Sequence, residues 1–172
     1  SHGLPFFIHG DLQLDNVLYD KKRKKFTLLD WRQDFSGETS FGDIYYDLAK
    51  LKGGLFLNYD YIKLNLMYYQ NNKNKVIIDF ARRSSSDIYL NIFDNFVEQK
   101  SLSIDKVNLL VGLIYLNMSP LHHAPFDKAL YSLSLLKPSG NLTTDGNAIT
   151  SNVDGAGDAG LNLCKLTYRE LL

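Results

Sequence analysis

Asp11, Asn16 five residues later, and Asp30 are the residues whose types and spacing best suit chemistry in this chain. They lie in the stretch His9 to Trp31, HGDLQLDNVLYDKKRKKFTLLDW. Metal-assisted phosphoryl transfer needs such a set. One carboxylate accepts the proton of an attacking hydroxyl, and two oxygen donors hold Mg²⁺ against the phosphates. The three side chains can cooperate only if the elements between them bring them together. Phe6, Phe7 and Ile8 form an apolar run into His9-Gly10-Asp11-Leu12; a second run, Asn16 to Tyr19, precedes the basic turn Asp20 to Lys25; a third, Phe26 to Leu29, ends on Asp30-Trp31. Short β-prone runs with polar breaks predict strand, tight loop, strand, turn, strand. Asp11, Asn16 and Asp30 then stand at strand ends, where they can converge. A hairpin whose aspartates merely cap turns explains Asp20 but not the other three together.

HGDLxxxN, an apolar run and LLDW together resemble the catalytic and metal-binding loops of the aminoglycoside phosphotransferase and choline kinase-like family. These are kinase-fold enzymes that phosphorylate small hydroxylated molecules. Gly42-Asp43-Ile44-Tyr45-Tyr46-Asp47-Leu48-Ala49 resembles the same family's GDxxxDLA helix start. The resemblance implies Asp11 as the catalytic base, Asn16 and Asp30 as metal ligands, His9 as a scaffold residue of the catalytic loop, and Asp47 as a partner supporting that loop. It also implies ATP as co-substrate, Mg²⁺ as one or two ions, and a small-molecule hydroxyl acceptor of sugar, aminoglycoside or amino-alcohol type. Its motifs cover residues 5 to 50, and from there to residue 137 it rests on a compatible helical layout. Kinase-like folds place an N-terminal lobe ahead of this loop. The chain is therefore expected to be a C-terminal lobe, completed by a missing N-terminal lobe or a partner chain and inactive alone.

A chain of 172 residues is long enough for one domain with a substantial core. The formal net charge of zero gives no global field to recruit nucleic acid or an acidic membrane. Cys164 is the single cysteine, which excludes an internal disulfide and suits a reducing compartment. No apolar run reaches membrane-spanning length and no signal pattern opens the chain, so a cytoplasmic location is expected.

Trp31 to Gly42 reads as a polar loop where a protein kinase would carry its activation segment. HGD in place of HRD, with no APE motif, favours a small-molecule substrate. Arg32 and Asp34 have two readings: contacts to phosphate or substrate, or an exposed ion pair. Asp43 is placed to cap a helix that Gly53-Gly54 should end or bend. Helical spacing follows over Asp60 to Met67, and Tyr68 to Phe80 predicts a hairpin turning at NNKNK. Ser84 to Asp87 opens a further helix, in which Ile88, Tyr89, Ile92, Phe93 and Phe96 form an apolar stripe expected to pack on a neighbour. Ser103 opens another, closed by Pro120, and a last helix runs from Phe126 to Leu136. Adjacent His122 and His123 lack the spacing of a metal pair, and Lys21 to Lys25 reads best as a solvated basic tip.

Residues 138–172 differ in composition and read as a Gly/Asn/Asp-rich linker or tail, with a short helix expected over Leu161 to Leu172. Within it, a GAGDA run ending near Asp158 resembles the anion-hole motif of ribokinase-like sugar kinases, but no large α/β sheet precedes it. The expected fold is α+β, mainly α: a protein-kinase-like C-terminal lobe over residues 1–137, with short β-hairpins and about five helices. The alternative function is a non-catalytic nucleotide-binding or regulatory module derived from such a kinase.

Overall fold

The computed structural model describes residues 3–72, 75–136 and 161–168. Among them are five α-helices and three small antiparallel sheets, an α+β and mainly α fold of the kinase-like kind. Strand β1 (Pro5–Phe6) enters the loop that carries His9 and Asp11, whose 3-10 turn spans Leu14–Asn16. The hairpin β2 (Val17–Asp20) and β3 (Lys25–Leu28) follows, with Val17 opposite Leu28 and Asp20 opposite Lys25. Asp20 Oδ1 accepts the amides of Lys22 and Arg23 at the turn, so this aspartate does cap and the basic run is an exposed tip.

Strand β4 (Gly42–Asp43) returns to pair with β1 and leads into helix α1 (Ile44–Phe56). Asp43 is the N-cap, its Oδ1 accepting from the Tyr45 amide at 3.2 Å and from the Leu4 amide at 3.1 Å. One carboxylate thus starts the helix and ties it to β1. Gly53-Gly54 does not end α1. The helix continues to Phe56, where burial of Phe56 and Leu57 offsets the glycines' poor helix propensity, about 1 kcal/mol each. The Gly53 carbonyl accepts from the Tyr115 hydroxyl at 3.0 Å.

Helix α2 is shorter than expected, Tyr59–Lys63, because Met67 already belongs to the next strand. The predicted hairpin forms as β5 (Met67–Asn72) and β6 (Lys75–Arg83). Helices α3 (Ser86–Gln99), α4 (Ile104–Met118) and α5 (Phe126–Leu136) complete the bundle. Ser103 caps α4 through the Lys106 amide, as its position predicted. Helix α4 packs on α1 and α5, and Val107, Val111 and Tyr115 join Phe56, Phe80, Leu130 and Leu133 in one core. No helix among the described residues is long and apolar enough to cross a membrane.

Two further expectations are not met. Leu161–Tyr168 is a strand, β7, antiparallel to β6, and not the start of a helix. Residues 169–172 of that expected helix, and the linker and Asp158 motif at 138–160, lie outside the described residues. Without β7 the second edge of β6 would leave its backbone groups unpaired, and pairing there outweighs the weak local preference of LNLCKLTY. On α3, Ile88, Tyr89, Ile92 and Phe96 are exposed, and only Phe93 of that stripe reaches the core. The inward face is instead set by Phe93 and Val97, so the stripe is one row off the packed face.

Candidate active site

Asp47 is the foundation of the His9 to Asn16 loop. It lies on the first turn of α1, only 4% exposed, and its two oxygens accept the backbone amides of the loop. Oδ2 takes the His9 amide at 2.6 Å and Oδ1 the Gly10 amide at 2.9 Å. Burial pushes the Asp47 carboxyl above its ordinary pKa, opposed by hydrogen bonds from the His9, Gly10 and Leu12 amides. Gly10 sits at φ +80°, and a Cβ there would lie 2.6 Å from Arg32 Cβ. Both the left-handed backbone and the close approach of Arg32 require glycine.

His9 is buried and links three parts of the site. Its Nε2 donates to the Leu29 carbonyl at 2.7 Å, which leaves Nδ1 as an acceptor for the Asp11 amide at 3.2 Å. The neutral, Nε2-protonated tautomer satisfies both bonds. The imidazole therefore joins the start of the loop to the residue before Asp30. Trp31 covers it with ring centroids 4.8 Å apart, and the Arg32 amide returns to the His9 carbonyl at 3.0 Å.

Asp11 is partly buried, and its carboxylate oxygens have different surroundings. Oδ1 accepts from Lys50 Nζ at 2.7 Å and from Gln13 Nε2 at 2.8 Å. Oδ2 has only a long contact of 3.5 Å with Asn16 Nδ2. Burial raises the Asp11 pKa, but hydrogen bonds from Lys50 and Gln13, with the positive charges of Lys50 and Arg32, together bring it below the ordinary value. Asp11 is thus held as a carboxylate.

Asn16 ends the 3-10 turn and is turned toward Asp11, its Nδ2 donating to the Asp11 carbonyl at 2.9 Å. The Asn16 carbonyl accepts the Leu29 amide at 2.8 Å, extending the hairpin ladder by one rung and bringing Asn16 beside the Leu29–Asp30 step. Asp30 itself is exposed, at φ 57°, with its carboxylate in no hydrogen bond or ion pair among the described residues. A non-glycine residue in that conformation is uncommon, and such strain concentrates at functional sites. Asn16 Oδ1 likewise has no partner among the described residues. One amide oxygen and one carboxylate at the base of a hairpin fit Mg²⁺, which prefers oxygen and keeps several water ligands. No cluster of three or more His, Cys, Asp or Glu among the described residues is arranged to hold a metal.

Arg32 and Asp34 do not come together. Arg32 lies along Gly10, near enough to act on Asp11 by charge, while Asp34 Oδ1 accepts the Gly37 amide at 2.8 Å and caps a turn. The exposed ion pair is not formed. Lys50 and Gln13, absent from the residues singled out in the sequence, touch Asp11 directly. Lys50 was legible: it follows Asp47 by one helical turn and so shares its face.

Two cavities flank the loop, and neither is lined by Asp11, Asn16 or Asp30. One, of about 330 Å³, is bordered by Gln13, Leu14 and Asp15 with Asn58, Tyr59, Asp60, Arg83, Ser86 and Tyr89. The other, of about 270 Å³, is bordered by Phe7 to Gly10 and by the 31–41 loop. Tyr59 connects the first to the chemistry: burial and the charges of Asp11 and Asp15 push its phenol up to about 12.

A loop carboxylate pinned from behind by a helix aspartate, with an asparagine and an aspartate at the base of the next hairpin, is the arrangement that the resemblance to kinase-like phosphotransferases implies. Residues 2–59, which contain all of these groups, match the family model described as the phosphotransferase enzyme family. No curated protein and no solved structure matches the chain significantly.

Proposed function

We propose that this chain carries the catalytic and metal-binding part of an ATP-dependent phosphotransferase acting on a hydroxyl of a small molecule, of sugar, aminoglycoside or amino-alcohol type. The observation that carries this reading is the carboxylate of Asp11, clamped on Oδ1 and open on Oδ2, with the Asn16 and Asp30 side-chain oxygens, which have no partner among the described residues, at the base of the following hairpin. The acceptor hydroxyl hydrogen-bonds to Asp11 and passes it the proton as the oxygen attacks the γ-phosphorus. The bond from that phosphorus to the β–γ bridging oxygen breaks, and ADP leaves with the electron pair. Asn16 and Asp30 would hold Mg²⁺, which supplies charge neutralisation on the phosphates. Most of the rate then comes from positioning and preorganised charge.

In this reading the acceptor hydroxyl lies against Asp11 and the rest of the acceptor extends toward the cavity beside Gln13 and Tyr59, whose carboxylates, hydroxyls and Tyr89 ring suit a polyol or amine face. Phe7 and Phe26, 67% and 70% exposed, leave apolar surface on the loop-and-hairpin unit that suits a nucleotide-covering lobe or partner chain. The test is calorimetry of ATP with and without Mg²⁺, on this chain and on Asp30→Ala. Mg²⁺-dependent binding that Asp30→Ala abolishes is the expected result. Binding indifferent to both Mg²⁺ and Asp30, or none by the folded chain, would overturn the proposed role of this chain.

A further inference from the structure

The Asp11 carboxylate can turn about a soft, nearly two-fold torsion, so its two oxygens exchange places unless something distinguishes them. Here two groups do so from different parts of the fold. Gln13 reaches Oδ1 at 2.8 Å from within the loop, and Lys50 reaches the same oxygen at 2.7 Å from α1. The Lys50 side chain is 11% exposed, so this is no solvated surface pair of negligible strength. Lys50 stands one turn beyond Asp47, whose carboxylate fixes the His9 and Gly10 amides. One face of one helix therefore holds both the loop backbone and the side chain that the loop presents.

We propose that Lys50 is a positioning residue: with Gln13 it holds Asp11 Oδ1, so that Oδ2 is the oxygen presented to the acceptor hydroxyl. The consequence for transfer rests on the phosphotransferase reading above, whereas the orientation of Asp11 can be tested without it. A neutral replacement frees the carboxylate to rotate and removes the cation that stabilises its ionised form. Misplacing a reacting group by about 1 Å costs on the order of a hundredfold in rate.

The experiment determines crystal structures of the whole chain and of Lys50→Met, Lys50→Leu and Lys50→Arg, and reads the orientation of the Asp11 carboxylate plane. Should Lys50→Met fail to fold, Lys50→Leu removes the donor with a different apolar shape. The expected result is one Asp11 orientation, with Oδ1 on Lys50, in the whole chain, its loss in the neutral variants and its return in Lys50→Arg, with the fold intact. An Asp11 carboxylate that keeps the same orientation in the folded neutral variants would overturn the proposal. ATP-dependent transfer to a panel of polyols and amino alcohols, measured in the same variants, separates the two readings. Loss of kcat by about tenfold or more with unchanged KM in the neutral variants supports positioning. Unchanged kcat refutes it. A folded wild type that neither binds Mg²⁺–ATP nor transfers phosphate, with an Asp11 carboxylate that still responds to Lys50, counts against the phosphotransferase reading while upholding the clamp.

Discussion

Replacing Asp47 with alanine should detach the His9 to Asn16 loop from the helix bundle. The side chain accepts two backbone amides, from His9 at 2.6 Å and Gly10 at 2.9 Å, and is almost wholly buried. Hydrogen bonds to a charged group are worth about 1.5–3 kcal/mol each, so two set a ceiling of about 3–6 kcal/mol. Burying the ionised carboxylate offsets part of this, as its raised pKa shows, leaving about 2–4 kcal/mol. Asp47→Asn should lose less, because its amide oxygen can take one of the two N–H groups while its NH₂ opposes the other. Urea unfolding with an unchanged m-value measures the loss. Hydrogen exchange at the His9 and Gly10 amides locates it, since both should become labile well before the core of α4. An Asp47→Ala protein within about 0.5 kcal/mol of wild type, or one whose His9 and Gly10 amides stay protected, would refute this account.

Gly10→Ala should cost about 1–3 kcal/mol, seen as a lower thermal midpoint, because φ +80° is strained for alanine and its Cβ meets Arg32. An unchanged midpoint would mean that the loop relaxes without strain. Lys52, buried on α1, donates to Asp94 Oδ1 on α3 at 2.6 Å. Asp94→Ala should leave that cation unpaired and cost about 1–3 kcal/mol, less than for a fully buried partner because Asp94 is partly exposed. Lys52→Met added to Asp94→Ala should recover most of the loss in a double-mutant cycle, and simple additivity would argue against the pair.

What the chain's sequence disclosed divides along a physical line. The Asp43 and Ser103 caps, the Tyr68 to Phe80 hairpin and the strand–turn–strand around Lys21 to Lys25 were readable because each is decided by residues near one another in the chain. The α3 stripe was readable as apolar, but periodicity names a face and not what covers it, so Ile88, Ile92 and Phe96 were wrongly assigned to a packed interface. Strand β7 was misread because the free edge of β6 determines its conformation more than its own composition does. In the site, the motif residues were legible and their supports were not. His9 and Asp47 stand 38 residues apart, yet meet at 2.6 Å only because β1 pairs with β4 and delivers α1 beneath the loop. The same pairing brings Lys50 to Asp11. A motif names the groups that face a substrate, whereas their orientation is set by whichever helix the fold carries behind them. The short β1–β4 ladder, two residue pairs long, therefore supplies the helix-borne half of the asymmetry at the Asp11 carboxylate, and Gln13 supplies the other from within the loop.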